Sequence, residues 1–301
     1  MIGSGHQNII LEKSILTEIE YSSIKFNILR DDLIHPLING NKARKFYYYI
    51  QKNPSDLTTL ISYGGYQSNA MYALSCLCNL KQWKFIYHTG TIPSWLKKEK
   101  LGNYKSSLEN GMILIEHDKK SYDHFVGHIK EFKLEDKEAL VQQGGYEKES
   151  ETGFIDLAHH IRNLETFNRP QQIFLTSGTG TSALFLQKHL DIPVITCPVL
   201  GNRPFLLKQF HSLEPDLKNY PEIIESKKRY PFAQPHPDIY YTYIYFKNQG
   251  IEFDLVYDCA GWIAIKENIE KFLDKKTIFI HSGGLSGNDS MLKRYSRYDY
   301  F

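Results

Sequence analysis

Along this chain the spacing of apolar side chains changes period repeatedly, and each change marks an element. Alternation of apolar and polar positions over 16–20 and 25–29, on either side of Tyr21-Ser22-Ser23, predicts an opening pair of strands. The pattern then becomes strand followed by helix, again and again. Strands are predicted over 57–62, 84–88, 112–116 and 139–142, and helices over 68–80, 93–108 and 122–132. Pro93 suits the first turn of its helix, where a missing N–H leaves no acceptor unserved. This series ends at Gly144-Gly145.

A second series follows. Helical spacing over 153–164 places Ile155, Ala158 and Ile161 or Arg162 on one face. Next come a strand over 172–175, a helix over 181–189 and a strand over 193–197. Helices over 204–213, 238–248 and 260–272 precede a last strand over 277–280. Such alternation predicts an α/β fold of parallel sheets with helices on both faces. No period of roughly 20–50 residues repeats, and no low-complexity linker interrupts the chain. Boundaries near 36 and 148 predict two domains, a larger one from 1–36 with 148–301 and a smaller one from 37–147. Glycine-rich stretches follow four predicted strands, at Gly64-Gly65, Gly144-Gly145, Gly178 to Gly180 and Gly283-Gly284. In such sheets ligands bind outside the carboxyl ends of strands, so both series feed one cleft.

Composition narrows the class. With 301 residues, 42% hydrophobic and 23% charged, the chain is globular and long enough for two cores. Its 21 Tyr and 17 Phe read as core filling. A formal net charge of +2 supplies no basic field for nucleic acid, and Lys119-Lys120 and Lys227-Lys228-Arg229 read as solvated faces. Cys76, Cys78, Cys197 and Cys259 have no metal-ligand spacing and read as buried free thiols of a reducing compartment. Met1-Ile2-Gly3-Ser4-Gly5-His6 lacks a basic n-region and a long apolar h-region, and no apolar run reaches about 18 residues. A soluble, cytoplasmic protein with no membrane partner is expected.

The candidate chemistry lies in three distant segments: Gly40-Asn41-Lys42-Ala43-Arg44-Lys45, Gly64-Gly65-Tyr66-Gln67-Ser68-Asn69 and Ser177-Gly178-Thr179-Gly180-Thr181. The third joins a strand to a helix. Its glycines let amides converge, its hydroxyls add donors and the helix start adds positive potential, which suits a phosphate. No Lys-Ser/Thr closes it, so it is not a Walker A loop. Gly178-Thr179-Gly180-Thr181-Ser182-Ala183 also fits the dinucleotide pattern G-x-G-x-x-A and keeps an NAD-dependent oxidoreductase as an alternative. That pattern wants an acid about 20 positions on, at the end of the next strand. Asp191 precedes that strand instead, so a lone phosphate ranks above a dinucleotide. A tight turn with no ligand is the competing reading of the loop taken alone.

Lys42 follows a glycine turn, and Arg44 and Lys45, if close, would lower its affinity for a proton. A neutral amine is the form that attacks an aldehyde. An amine, a phosphate loop and small polar groups together suit covalently held pyridoxal 5'-phosphate (PLP).

The first two segments, in this order, resemble the 1-aminocyclopropane-1-carboxylate deaminase and D-cysteine desulfhydrase family of PLP enzymes. Ser177 to Thr181, Phe253-Asp254-Leu255-Val256-Tyr257 and Ile280-His281-Ser282-Gly283-Gly284-Leu285 resemble its later motifs, so the likeness covers most of the chain. It implies the two-domain tryptophan synthase β-like fold, fold type II, a homodimer and a small amino-acid substrate. Carried over, Lys42 is the Schiff-base lysine, and Asn69 meets the cofactor's phenolic oxygen. Ser68 meets the substrate carboxylate or assists proton transfer. Ser177, Gly178, Thr179, Gly180 and Thr181 hold the phosphate, Tyr257 faces the substrate, and Ser282 lies by the pyridine nitrogen. From the residues alone, Tyr257 is equally a core aromatic and Ser282 equally a turn residue. His281 and the pair His159-His160 have no carboxylate or cysteine at ligand spacing and read as structural, so no metal is expected.

Two departures bear on substrate. Ala70 stands where the family has His, and Phe232, with Tyr230 two residues before it, aligns with a second substrate-side tyrosine. Loss of that hydroxyl disfavours opening a cyclopropane ring. The expectation is therefore a PLP-dependent lyase that degrades D-cysteine by β-elimination, with the cyclopropane deaminase as the alternative. A PLP-binding homologue without turnover is the non-enzymatic alternative.

Overall fold

The computed structural model describes residues 9–165 and 169–298, and the reading of Met1 to His6 lies outside them. The opening strands β1 (Leu16–Tyr21) and β2 (Ile24–Leu29) pair antiparallel. Ser22 and Ser23, with φ of 51° and 62°, make the two-residue turn whose twist suits a hairpin. The chain continues through α1 (Gly40–Lys45), α2 (Tyr47–Gln51), β3 (Thr59–Tyr63), α3 (Asn69–Lys81) and β4 (Lys84–Thr89). Then come α4 (Ser94–Glu99), α5 (Gly102–Glu109), β5 (Ile113–Glu116), α6 (Lys119–Gly127) and β6 (Glu138–Val141). Parallel strands β5-β4-β3-β6 form a four-stranded sheet.

The second series is α7 (Glu151–Arg162), β7 (Gln172–Ser177), α8 (Thr181–His189), β8 (Val194–Pro198), α9 (Arg203–Leu213) and β9 (Glu222–Ile223). It closes with α10 (Pro237–Lys247), α11 (Asp258–Glu267), β10 (Thr277–Ile280) and α12 (Asn288–Tyr295). Its strands join the opening hairpin in a six-stranded sheet ordered β1-β2-β10-β7-β8-β9, parallel except for β1 with β2. Both faces are covered, as near-continuous apolar strands require. Ile173, Leu175, Ile278 and Ile280 pack toward α7, α8 and α9, while Phe174 and Phe279 pack toward α10 and α11. The period-two alternation of a strand thus feeds two cores at once. A third core joins α1, α2 and α3 to the four-stranded sheet.

The sequence reading lacks α1, α2, β9 and α12, and some of its expected helices differ in extent or in face. The helix expected over 93–108 is broken at Lys100 and Gly102, which adopt φ of 45° and 54°. The buried stripe of α7 is Phe154, Leu157, Ala158 and Ile161, and Ile155 faces solvent. The aromatics fill the core as expected: Trp262 lies among Tyr21, Phe26, Phe246, Phe253 and Phe279. Trp83 is buried beneath the four-stranded sheet and donates to the Pro54 carbonyl at 2.8 Å. Trp95 is exposed, with the Arg297 guanidinium 5.5 Å above its ring.

Candidate active site

The site begins with a close backbone approach. Gly40 has φ +56°, and a Cβ there would lie 2.2 Å from the Ser282 carbonyl oxygen. Only glycine lets the start of α1 meet the loop after β10 in this way. The Asn41 N–H donates to that same carbonyl at 2.9 Å, and Asn41 Oδ1 accepts from the Ser182 hydroxyl on α8. Lys42 is thereby held between the loop after β10 and the amino end of α8.

Burial lowers the Lys42 amine to about 8, against the opposing pull of the Asp254 carboxyl. The expected cause was the cationic neighbours, and the structure corrects it. Arg44 turns away, bonded to Asp31 at 3.0 Å, Asp156 at 2.7 Å and Ser14 at 2.9 Å. Lys45 turns the other way, toward the loop after β7. Its Nζ donates to Thr179 Oγ1 at 3.2 Å and to the Gly144 carbonyl at 2.9 Å. Burial and the charge of Lys42 hold the Lys45 amine well below its ordinary value. Sequence reasoning took Lys45 only for a neighbour, although a spacing of three on one helix sets it beside Lys42.

In the loop itself, Gly180 adopts φ +80° at the start of α8, and the hydroxyls of Thr179 and Thr181 lie 2.8 Å apart. Gly178 runs beside the Tyr257 ring, 3.3 Å from where its Cβ would be. Ser177 is different. Its hydroxyl pairs with Thr196 of β8 at 2.6 Å, so that side chain serves the sheet and does not open toward the loop.

Ser68 caps α3, accepting the N–H groups of Ala70 at 3.1 Å and Met71 at 3.4 Å. Asn69 follows on the first turn, against the loop after β10: a Cβ on Gly284 would lie 2.4 Å from its Nδ2. Asn69 Oδ1 accepts from Asn103 Nδ2 at 2.7 Å.

The far wall carries two buried carboxyls that the sequence did not single out. Asp254 Oδ1 accepts the N–H groups of Val256, Tyr257 and Asp258, while its buried Oδ2 has no hydrogen-bond partner. Burial raises it to about 7. Asp258 accepts from Ser282 Oγ at 2.6 Å, Ser282 N–H at 3.0 Å and Thr176 Oγ1 at 3.1 Å. Burial and the adjacent Asp254 push it well above the carboxylate range. The hydroxyl expected by the pyridine nitrogen thus has a carboxyl directly behind it. Its placement immediately after Tyr257 was the available signal.

Tyr257 is half-buried, and burial with Asp254 raises its phenol, which stays protonated at neutral pH. Phe232 stacks edge-on against it with ring centroids 5.7 Å apart, while the Tyr230 hydroxyl bonds Asp238 at 2.9 Å. Phe232 is therefore the aromatic beside Tyr257. It also lines, with Val256 and Gln234, a cavity of about 240 Å³ that borders the site without containing Lys42. His281 is buried; Nδ1 accepts from Gly283 N–H at 3.0 Å and Nε2 faces the Glu252 carbonyl at 2.8 Å. That arrangement makes it a neutral structural imidazole.

The chain has the two-sheet architecture of PLP enzymes of fold type II, the tryptophan synthase β-like fold. A crystal structure of an ACC deaminase homologue matches it with a TM-score of 0.78, at 19% identity over 96% of this chain and 94% of that one. A hydrogen sulfide-producing enzyme from Fusobacterium nucleatum matches with a TM-score of 0.61, at 16% identity over 92% of this chain and 97% of that one. In sequence, the chain resembles the 1-aminocyclopropane-1-carboxylate deaminase and D-cysteine desulfhydrase family. A protein of Oryza sativa subsp. japonica named "Putative D-cysteine desulfhydrase 2, mitochondrial" is 23% identical over 90% of this chain and 80% of its own length. No family profile matches the chain.

Proposed function

We propose that this protein is a PLP-dependent lyase that converts D-cysteine and water to pyruvate, hydrogen sulfide and ammonia. One observation carries the reading: a single short helix carries both Lys42, whose amine is lowered by burial and feels the Asp254 carboxyl, and Lys45, whose Nζ donates to Thr179 of the glycine loop. The residues fit the cofactor. Lys42 would bind its aldehyde carbon; Gly178, Thr179, Gly180, Thr181 and Lys45 would hold its phosphate at the start of α8. Asn69 would meet its phenolic oxygen, and Ser282, its proton committed to Asp258, would turn lone pairs toward the ring nitrogen. When bound, PLP withdraws electrons from the substrate Cα and so acidifies its proton.

Burial lowers the Lys42 amine to about 8, so that it would serve as a base for the α-proton of a bound substrate. Ser68 already accepts two backbone N–H groups, which makes it a donor to the substrate carboxylate and a poor proton acceptor. The protonated phenol of Tyr257 is available to the departing thiolate. Beside it stands Phe232, with no hydroxyl to assist ring opening, which orders β-elimination above deamination of the cyclopropane amino acid. The test compares pyruvate and sulfide release from D-cysteine and L-cysteine with ketobutyrate release from the cyclopropane substrate. Ketobutyrate without sulfide would reverse the order, and binding without any product would leave a PLP-binding homologue.

Further proposals accompany this one. The chain forms two domains, 1–36 with 148–301 and 37–147, each built around one of the sheets, and assembles as a homodimer. We place it in the cytoplasm: the described cysteines are free and buried, as in a reducing compartment, and no described helix is long and apolar enough to cross a membrane.

Attachment of PLP to the apo-protein, followed by visible absorbance, is expected to quicken with pH and level off above about 8, where Lys42 becomes neutral. Below that point the rate should fall roughly tenfold per pH unit. A rate still climbing at about 10 would mean a solvated amine. Tyr257→Phe is expected to lose about 10- to 100-fold in kcat/KM with the visible band intact. Undiminished turnover would reduce Tyr257 to packing.

A further inference from the structure

We propose that Asn103 is a positioning residue that fixes which end of the Asn69 amide is presented to the site. The proposal rests on the reading of Asn69 as a cofactor-binding residue. Asn103 lies on the first turn of α5 and is fully buried, 0% exposed. Its Nδ2 donates to the Gln67 main-chain carbonyl at 3.1 Å and to Asn69 Oδ1 at 2.7 Å; its Oδ1 accepts from Ser286 Oγ at 2.7 Å.

The order of these bonds is forced. A main-chain carbonyl oxygen only accepts, so the Asn103 atom facing Gln67 must be nitrogen. That nitrogen in turn requires an acceptor from Asn69, which must present its oxygen to Asn103 and keep its nitrogen free for the other side. Gln67 is itself pinned: its Nε2 donates to the Leu101 carbonyl at 2.9 Å and its Oε1 accepts from Tyr104 N–H at 3.3 Å. Backbone groups that cannot flip therefore dictate the polarity of the Asn69 amide. An unconstrained asparagine offers either end with similar ease, whereas an anionic phenolic oxygen takes only a donor. Ser286 follows β10 while Asn69 and Asn103 flank β4, so the relay also ties the loop after β10 to the four-stranded-sheet side.

The buried-amide alternative, in which Asn103 merely satisfies itself, predicts no effect on the cofactor's electronic state. The experiment reads the ratio of visible to near-ultraviolet absorbance of PLP-loaded protein at fixed pH. At a pH high enough to ionise the buried carboxyl, Asn103→Asp leaves only acceptors at that position and should turn Asn69 over, lowering the ratio about fivefold, the shift that one lost hydrogen bond gives. Asn69→Ala should lower it by a similar factor. The double variant should show no further drop, because both changes remove the same interaction. A parental ratio in Asn103→Asp, beside a lowered one in Asn69→Ala, overturns the proposal and leaves the reading of Asn69 standing. A parental ratio in Asn69→Ala overturns both, and a parent protein with no visible band overturns the PLP reading itself. Should Asn103→Asp fail to fold, Asn103→Ala decides: it frees the Asn69 amide to offer either end, and the ratio should fall about twofold.

Discussion

Lys42→Ala is expected to give a folded protein that binds no PLP covalently and turns over no substrate. In the proposed function the side chain has two roles that no neighbour can assume. It would hold the aldehyde carbon, and as a free amine it would be the base for the α-proton. Lys45 cannot replace it, since its Nζ is bonded to Thr179 and Gly144. The loss in kcat/KM should reach about 10⁴-fold or more, beyond what the removal of a proton-transfer group alone gives. The fold should survive, because the core beneath α1 is made by Ala43 and Phe46, which the substitution leaves in place. Absorbance with and without borohydride, an elimination assay and a melting curve check all three parts. A variant that kept its visible band would place the covalent bond on another lysine.

The second large effect is expected at Gly40. Gly40→Ala puts a Cβ 2.2 Å from the Ser282 carbonyl oxygen and 2.6 Å from the Gly283 nitrogen, both main-chain atoms that no rotamer change can move. The residue also has φ +56°, which costs an alanine about 1–2 kcal/mol before any collision is counted. Relief requires that α1 and the loop after β10 move apart, which breaks the Asn41 bond to Ser282 and misaligns Lys42. A loss of about 3 kcal/mol or more in stability is expected, with backbone strain and overpacking acting together. Activity should fall further than stability does, because a displacement of about 1 Å at a reacting group costs about a hundredfold in rate. Thermal melting and elimination kinetics measure the two losses. An alanine variant with parental melting and parental rates would show that the two segments are not in contact in solution.

The segments of the candidate site were more legible in the sequence than some helices were. Strand 277–280 and helix 181–189 were legible to the residue, because a short apolar run and a glycine turn bound them sharply. The break between α4 and α5 was not: apolar spacing runs through it, and only Gly102 hinted that the backbone would turn over. Ile155 misled because a regular spacing fixes a face without saying which face is inward. Helix α12, polar on average, was hidden behind the loop that precedes it, and two-residue β9 is too short to carry a period.

At the candidate site, the segments of Lys42, Asn69 and the glycine loop could be picked out because order and spacing along the chain mark them. Asp258 and Lys45 were readable in principle from their immediate neighbours. Asn103 was not, since its role depends on Gln67, Asn69 and Ser286 meeting only after the chain has folded.

The tryptophans give this molecule its own fluorophores. Trp262, with its indole N–H buried and unpartnered, monitors the six-stranded half, while Trp83, hydrogen-bonded to Pro54, monitors the four-stranded half. Their emission should differ in colour, because one indole is bonded and the other is dry, so single-tryptophan versions can time the melting of each half separately. Trp95, lying in solvent beneath Arg297, would serve as the iodide-quenchable reference.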